Sequence, residues 1–250
     1  MISLTIFAAI LVSLEVGSRI GRVRHERDSS GATAGTSAID GAIFGLMGLL
    51  LAFTFAGAAS RFDTRRSLIV EEANTIGTAY LRLDLLPVEA RVKLKEDFRQ
   101  YLDSRLAIYR ALSNVGSAKQ ELGRSAEIQG RIWSEAVAAT RESSNAAVTS
   151  LVLSNINDMI DITLTRTVAL QTHPPAIIFV VLVVMVLASA LLAGYNMSAA
   201  KVRNWTYRIT FAVLVTLALY LILDLEYPRF GLIRVDAFDQ ILVDVRNTMK

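Results

Sequence analysis

Residues 41–60, Gly-Ala-Ile-Phe-Gly-Leu-Met-Gly-Leu-Leu-Leu-Ala-Phe-Thr-Phe-Ala-Gly-Ala-Ala-Ser, carry no charged side chain. A helix rises about 1.5 Å per residue, so this stretch reaches across roughly 30 Å of hydrocarbon. On a helical projection Gly41, Gly45, Gly48, Ala52, Ala56 and Ala59 fall on one stripe. Inside lipid, hydrophobicity gives helices no reason to associate, and small residues at three- and four-residue spacing let two backbones come close enough to pack. The segment therefore reads as a packed membrane helix in a bundle. Gly45→Leu and Gly48→Leu are expected to disturb its assembly.

The rest of the chain fits a membrane protein with a wetted part. Of 250 residues, 53% are hydrophobic and 20% charged, and the mean hydropathy is +0.43. That is too apolar for an ordinary soluble domain and too charged for spans alone. A net charge of +3 with no basic run interleaved with aromatics gives no reason to expect a nucleic-acid partner. Cysteine is absent, which excludes disulfides and thiol chemistry and leaves the redox compartment open.

Three further segments can span. Residues 2–16 are short and apolar, with Glu15 near their end and Arg19, Arg22, Arg24 and Arg27 after them. A cleaved signal has the opposite charge order, so a retained anchor is expected. Residues 176–195 are the most hydrophobic stretch and follow Pro174 and Pro175, which suit a helix start. The fourth span, about 209–223, has Trp205, Tyr207 and Tyr220 near its ends, where amphipathic rings favour the interface. The expected organisation is all-α: a transmembrane hairpin in 1–60, a helical extramembrane domain in 61–173, a second hairpin in 174–224 and a C-terminal tail in 225–250.

In the insert the apolar positions keep the helical period. Ile69, Ala73, Ile76, Tyr80 and Leu83 mark a first helix. After Pro87 come Leu94, Phe98, Tyr101, Leu102, Ile108, Tyr109 and Leu112. Gly116 and Gly123 suggest a loop before a third helix marked by Ile128, Ile132, Trp133, Ala136 and Val137. A fourth, about 145–172, presents Val148, Val152, Ile156, Met159 and Ile162. The first and last of these are expected to continue the flanking spans. Counting basic residues in the short loops 17–38 and 196–208 puts the insert outside the cell, whereas Arg61, Arg65 and Arg66 pull the other way. Asn196-Met-Ser and Asn204-Trp-Thr match the glycosylation pattern, which is short and carries little weight.

Enzyme signatures are sparse: there is no phosphate-cradling loop followed by Lys, no nucleophile elbow and no His-Glu-x-x-His. His25 and His173 lack companions at metal-ligand spacing, so no metal and no cofactor are expected. Ser143 and Ser144 read as a helix start. The charged clusters say more. Arg61, Arg65 and Arg66 are followed by Glu71, Glu72, Asn74, Thr78, Arg82 and Asp84. The fourth helix of the insert carries Asn155, Asp158, Asp161, Thr165 and Arg166. These groups either neutralise one another near the membrane surface or line an aqueous vestibule that concentrates ions. Arg66, Arg82, Asp158 and Asp161 are expected to form one network. Asp224, Glu226, Pro228, Gly231 and Arg234 follow the last span.

Taken together, Glu71-Glu-Ala-Asn-x-Ile-Gly-Thr-Ala79, Arg82-x-Asp-Leu-Leu-Pro87 and Asp224-x-x-x-Pro-x-x-Gly-Leu-Ile-Arg234 resemble a bacterial family of bestrophin-like membrane proteins. The resemblance covers nearly the whole chain, including the order of two spans, helical domain and two spans. It implies a multi-pass protein of the cell (inner) membrane with the insert in the cytoplasm, and a pentameric homo-oligomer passing anions. It further implies a narrow neck of bulky apolar residues at four-residue steps on the second span, a spacing that Met47, Leu51 and Phe55 share. The chain departs from bestrophins in its short-loop charges and in lacking the acidic calcium clasp of the animal proteins. The leading expectation is an ion channel with no covalent chemistry, gated by dewetting of apolar rings, with Arg61, Arg65 and Arg66 favouring anions. A membrane-anchored interaction or sensory protein, whose insert binds a partner and whose spans form no pore, is the alternative. A membrane enzyme built on the pairs Asp158/Asp161 and Asp224/Glu226 stands third.

Overall fold

A computed structural model describes residues 2–27, 37–110, 115–142, 145–199, 204–228 and 231–249. Among these residues the structure is helical and contains no strand. The helices are α1 (Ile2–Arg27), α2 (Ser37–Arg82), α3 (Val88–Arg110), α4 (Val115–Glu142), α5 (Ala146–Gln171), α6 (Ala176–Asn196), α7 (Trp205–Glu226) and α8 (Asp236–Thr248). Four stretches are long and apolar enough to cross a bilayer: Ile2–Arg24, Ala38–Leu85, Ala146–Asn196 and Trp205–Glu226. In the third, the apolar part is α6.

The chain divides into two compact units. One comprises Met1–Phe62 and His173–Ile233, the other Asp63–Thr172 and Arg234–Lys250. In the first, Ile10, Leu14, Met47, Ala58, Leu182, Val186, Ala190, Ala212, Val215, Leu219, Ile222 and Leu225 form the apolar core. Its closest packing is between α1 and α6. A Cβ added at Gly17 would lie 1.9 Å from the Leu191 carbonyl oxygen, and one at Gly194 2.0 Å from that of Leu14. Only glycine permits that approach, and these two positions do for α1 and α6 what small residues do at membrane helix interfaces generally.

In the second unit, Ala73, Ile76, Tyr80 and Leu83 of the α2 end meet Leu94, Phe98, Tyr101 and Leu102 of α3. Ile128, Ile132 and Ala136 of α4, Val152, Ile156 and Met159 of α5 and Leu242 of α8 complete that core. The helical period expected for the insert is present throughout, with two differences. Gly116 and Gly123 lie inside α4 rather than in a loop. Propensity against glycine costs about 1 kcal/mol per residue, and the buried row Ala118, Ser125, Ile128, Ile132, Ala136 and Ala139 outweighs it. The last helix of the insert does not run into the third span. α5 stops at Gln171 and α6 starts at Ala176, because Pro174 and Pro175 lack the N–H a continuing helix needs and disfavour the helical conformation before them. The first does continue: α2 is one helix of 46 residues.

The stretch expected as a tail, 225–250, contains α8. Residues 225–233 belong with the first unit, and α8 belongs with the second, where Leu242 is fully buried and Met249 nearly so. Leu112, Ser143, Ser144, Lys201 and Arg203 lie outside the described residues, as do the side chains of His25 and Arg27.

Candidate functional site

One side of α2 is left open along its whole length. Over the apolar part, Gly41, Gly45, Gly48, Ala52 and Ala56 are exposed, and no described atom lies within 4 Å of a Cβ built at any of the three glycines. Beside this small-residue stripe stand Leu46, Leu49 and Phe53, exposed by 55%, 52% and 68%. At 100° per residue the same arc of the helix then carries Ser60, Asp63, Thr64, Ser67, Glu71, Asn74, Thr78 and Arg82, all exposed, with Val70 and Leu81 exposed among them by 38% and 67%. From Ser60 onward the arc is mostly polar.

The expected neck row does not share this face. Met47 is buried in the core of its own unit, Leu51 is half-buried against that core and only Phe55 is exposed, by 44%. A strict step of four drifts 40° per step on a 3.6-residue helix, so the row winds from the core side to the open side. The bulky row that stays open is Leu46, Leu49 and Phe53. Thr54 turns inward and donates its hydroxyl to the Leu50 carbonyl at 2.7 Å.

The arginines after the span are not arrayed as a ring of available cations. Arg61 donates twice to Glu226, at 2.9 Å from Nε and 2.7 Å from Nη2. Glu226 is fully buried and also meets His173 Nδ1 at 2.9 Å, with the His173 ring stacked on Tyr227. Arg65 is buried and donates to the backbone carbonyls of Ala169 and Thr172 at 3.2 and 3.0 Å. These are carbonyls that the end of α5 leaves without helical partners. Arg66 pairs with Asp63 at 3.2 Å and lies over the Phe238 ring.

The buried charge centre of the second unit is also not the one expected. Arg82, Asp158 and Asp161 are exposed, and Asp161 accepts from Asn157 one turn away. The residues brought together are instead Glu72, Arg105, Tyr109, Arg166 and Asp239. Glu72, with no exposed side-chain surface, accepts from Arg105 Nε at 2.7 Å, from the Tyr109 hydroxyl at 3.0 Å and from Arg166. Arg166 also donates to Asp239 of α8 at 2.9 Å, and its guanidinium lies 3.8 Å from the Tyr109 ring centre. Two cations and two carboxylates balance, which is what makes their burial tolerable. Glu72 lies three turns beyond the apolar span. Burial alone would push its carboxyl up, but Arg105 and Arg166 outweigh that and hold it below the usual 4.5. Burial pushes the Tyr101 hydroxyl up to about 12, and the same cause keeps Tyr109 protonated. Glu71, one residue away, is on the open side of α2.

The C-terminal motif has a local structural logic. Asp224 is buried at the end of α7 and accepts from the backbone N–H groups of Leu232 at 3.0 Å and Ile233 at 2.9 Å. A Cβ on Gly231 would lie 1.2 Å from Asp224 Oδ1, so the turn closes on the carboxylate only with glycine there. Pro228 is buried and Arg234 exposed. Asp224 and Glu226 thus hold structure together, and Asp158 and Asp161 face outward. No group of acidic or histidine side chains among the described residues is arranged to hold a metal ion.

The bestrophin-like domain family matches this chain over residues 4–237. The fold is similar to a crystal structure of a point-mutated bacterial bestrophin homologue from Klebsiella pneumoniae. The TM-score is 0.68 at 14% identity, over 98% of this chain and 100% of that one. No curated protein matches.

Proposed function

The chain belongs to the bestrophin-like family, and from that premise we propose that several copies assemble around an axis as a channel for small ions, with the open side of α2 facing that assembly. The observation that carries this reading is the open arc of α2, apolar from Gly41 to Ala56 and mostly polar from Ser60 to Arg82, with Val70 and Leu81 the exposed apolar exceptions. The small-residue stripe packs against a neighbouring copy, and Leu46, Leu49 and Phe53 converge on the axis as the apolar constriction. Such a constriction gates by losing its water, and the polar strip beyond it keeps ions hydrated. A pentamer is the stoichiometry that the bestrophin resemblance supports.

The expected preference for anions rested on Arg61, Arg65 and Arg66, and each of these is engaged inside its own unit. The ionisable side chains on the open polar arc are Asp63, Glu71 and Arg82. Asp63 is paired with Arg66, which leaves one acid and one base, so charge on this face favours neither cations nor anions. Purified protein in liposomes with a salt gradient tests this: the account expects flux, an oligomer of several subunits and a reversal potential near zero. Absence of flux for every small ion overturns the channel, and a strong potential of either sign overturns the charge assignment.

A partner-binding insert without a pore has one observation in its favour. Leu85, Val88 and Val92 are exposed by 44%, 63% and 62%, next to a pocket of about 580 Å³ lined by Pro87, Val88, Lys93 and Glu135. A monomeric or dimeric protein without flux would make this the better account.

A further inference from the structure

Unit one carries a second feature that ion passage does not use. Glu15 in the middle of α1 and Arg208 in the first turn of α7 bond at 2.8 Å, with Arg208 buried, which sets the start of α7 level with Glu15. One turn further along α1 comes Arg19, whose side chain is 75% exposed, then Arg22, 51% exposed, and the exposed Arg24. Glu15 is within 4 Å of Arg19, Arg22 and Arg208 at once, so one carboxylate faces three guanidiniums and the end of α1 keeps a positive excess. One turn outward on α7 stands Trp205, half-exposed, with Tyr207 exposed by 69%.

Between the arginines, Ile20 and Val23 are exposed by 49% and 52%. A soluble anion has no use for apolar side chains interleaved with charge. The boundary of a bilayer does, because it offers acyl chains to isoleucine, valine and the indole, and phosphates to the guanidiniums. Both helices cross the bilayer, so this segment stands at the depth of the lipid headgroups.

We propose that the α1 end, through Arg19, Arg22 and Arg24, binds the headgroups of anionic phospholipids, with Ile20, Val23 and Trp205 seated among the upper acyl chains. The guanidiniums supply planar, bidentate donors matched to phosphate oxygens, and Glu15 orients Arg19 through its bond to Nε at 3.1 Å. This does not depend on the chain conducting ions.

The test uses the full-length protein in detergent micelles doped with phosphatidylglycerol, with phosphatidylcholine, or with phosphatidylcholine plus inorganic phosphate. Thermal unfolding and native mass spectrometry are the readouts. Phosphatidylglycerol is expected to raise the melting temperature above the phosphatidylcholine value and to stay bound in the mass spectrum, whereas phosphate adds nothing. Apparent affinity for phosphatidylglycerol should fall roughly fivefold for each arginine replaced by glutamine. The single variant Arg24→Gln leaves the Glu15 contacts intact, so the comparison survives if Arg19→Gln or Arg22→Gln impairs folding. Equal effects of the two lipids, an unchanged phosphatidylglycerol increment in Arg24→Gln and the triple variant, or full replacement of the lipid by phosphate would each overturn the proposal.

Discussion

Two acids, Asp224 and Glu72, show how single side chains hold each unit. Asp224 accepts from two backbone N–H groups of the turn after α7, and Gly231 is the residue that lets the backbone reach it. Gly231→Ala should cost about 3 kcal/mol through displacement of the carboxylate and loss of both bonds, seen as a lower melting temperature, whereas Gly123→Ala, in open space on α4, should not destabilise. Equal effects would contradict the role given to Gly231. Glu72 titrates below 4.5 in the folded protein, so its contribution is fully present above the unfolded value near 4.5 and is lost as pH falls through the lower, folded value. Glu72→Gln leaves Arg105 and Arg166 short of a buried carboxylate, a loss of roughly 3–5 kcal/mol, and should flatten the acid limb of the melting temperature below pH 4.5. An unchanged acid limb would show that other carboxylates set it. Glu72 was within reach of the sequence. It stands three residues after Ile69 and four before Ile76, on the inward stripe, while Glu71 falls on the polar one. The same rule applied to Arg105, four after Tyr101, and to Arg166, four after Ile162. Charge type concealed them, because a charged residue on an apolar stripe reads as a surface group until its partners, distant in sequence, are known.

At the scale of elements, periodicity located every helix of the insert, since burial of one face is what the pattern encodes. The errors arose where local chemistry and packing disagreed. Glycines in α4 looked like breaks but were carried by the core beneath them, and the proline pair broke a helix that hydropathy alone would run together. The small-residue spacing points to α2, yet within this chain the close helix–helix glycine contacts include those of Gly17, Gly21 and Gly194 on α1 and α6. Nothing in a single helix's spacing distinguishes an intramolecular partner from another copy. The two sets separate by experiment. Gly194→Val meets the Leu14 backbone, which cannot move aside cheaply, and should abolish a stable monomer fold. Gly48→Val meets open space in the single chain and should leave secondary structure and monomer stability intact while changing oligomer size on size-exclusion chromatography. If Gly48→Val purifies with unchanged oligomer size, the open stripe does not serve assembly.

For the molecule as a whole, the order of two spans, helical insert and two spans was legible, and family membership with it. What the sequence could not give was the side of α2 that stays open, because Met47, Leu51 and Phe55 differ from Leu46, Leu49 and Phe53 only by rotation about one axis. A helix of 46 residues with one side unused in its own chain is the central feature, and the account makes that side the lining of an ion path. The absence of cysteine allows a direct test. Single cysteines are placed at Leu49, Phe53 and Asn74 on the open side, with Met47 on the core side and Val184, an exposed position on α6, as controls. Each variant is reconstituted in liposomes, and ion flux is followed before and after a membrane-impermeant, charged thiol reagent. The account predicts that modification at Leu49, Phe53 and Asn74 alters flux strongly, and that Met47→Cys and Val184→Cys are insensitive. Flux that responds at Val184 and not at the α2 positions, or no flux before modification, would contradict it.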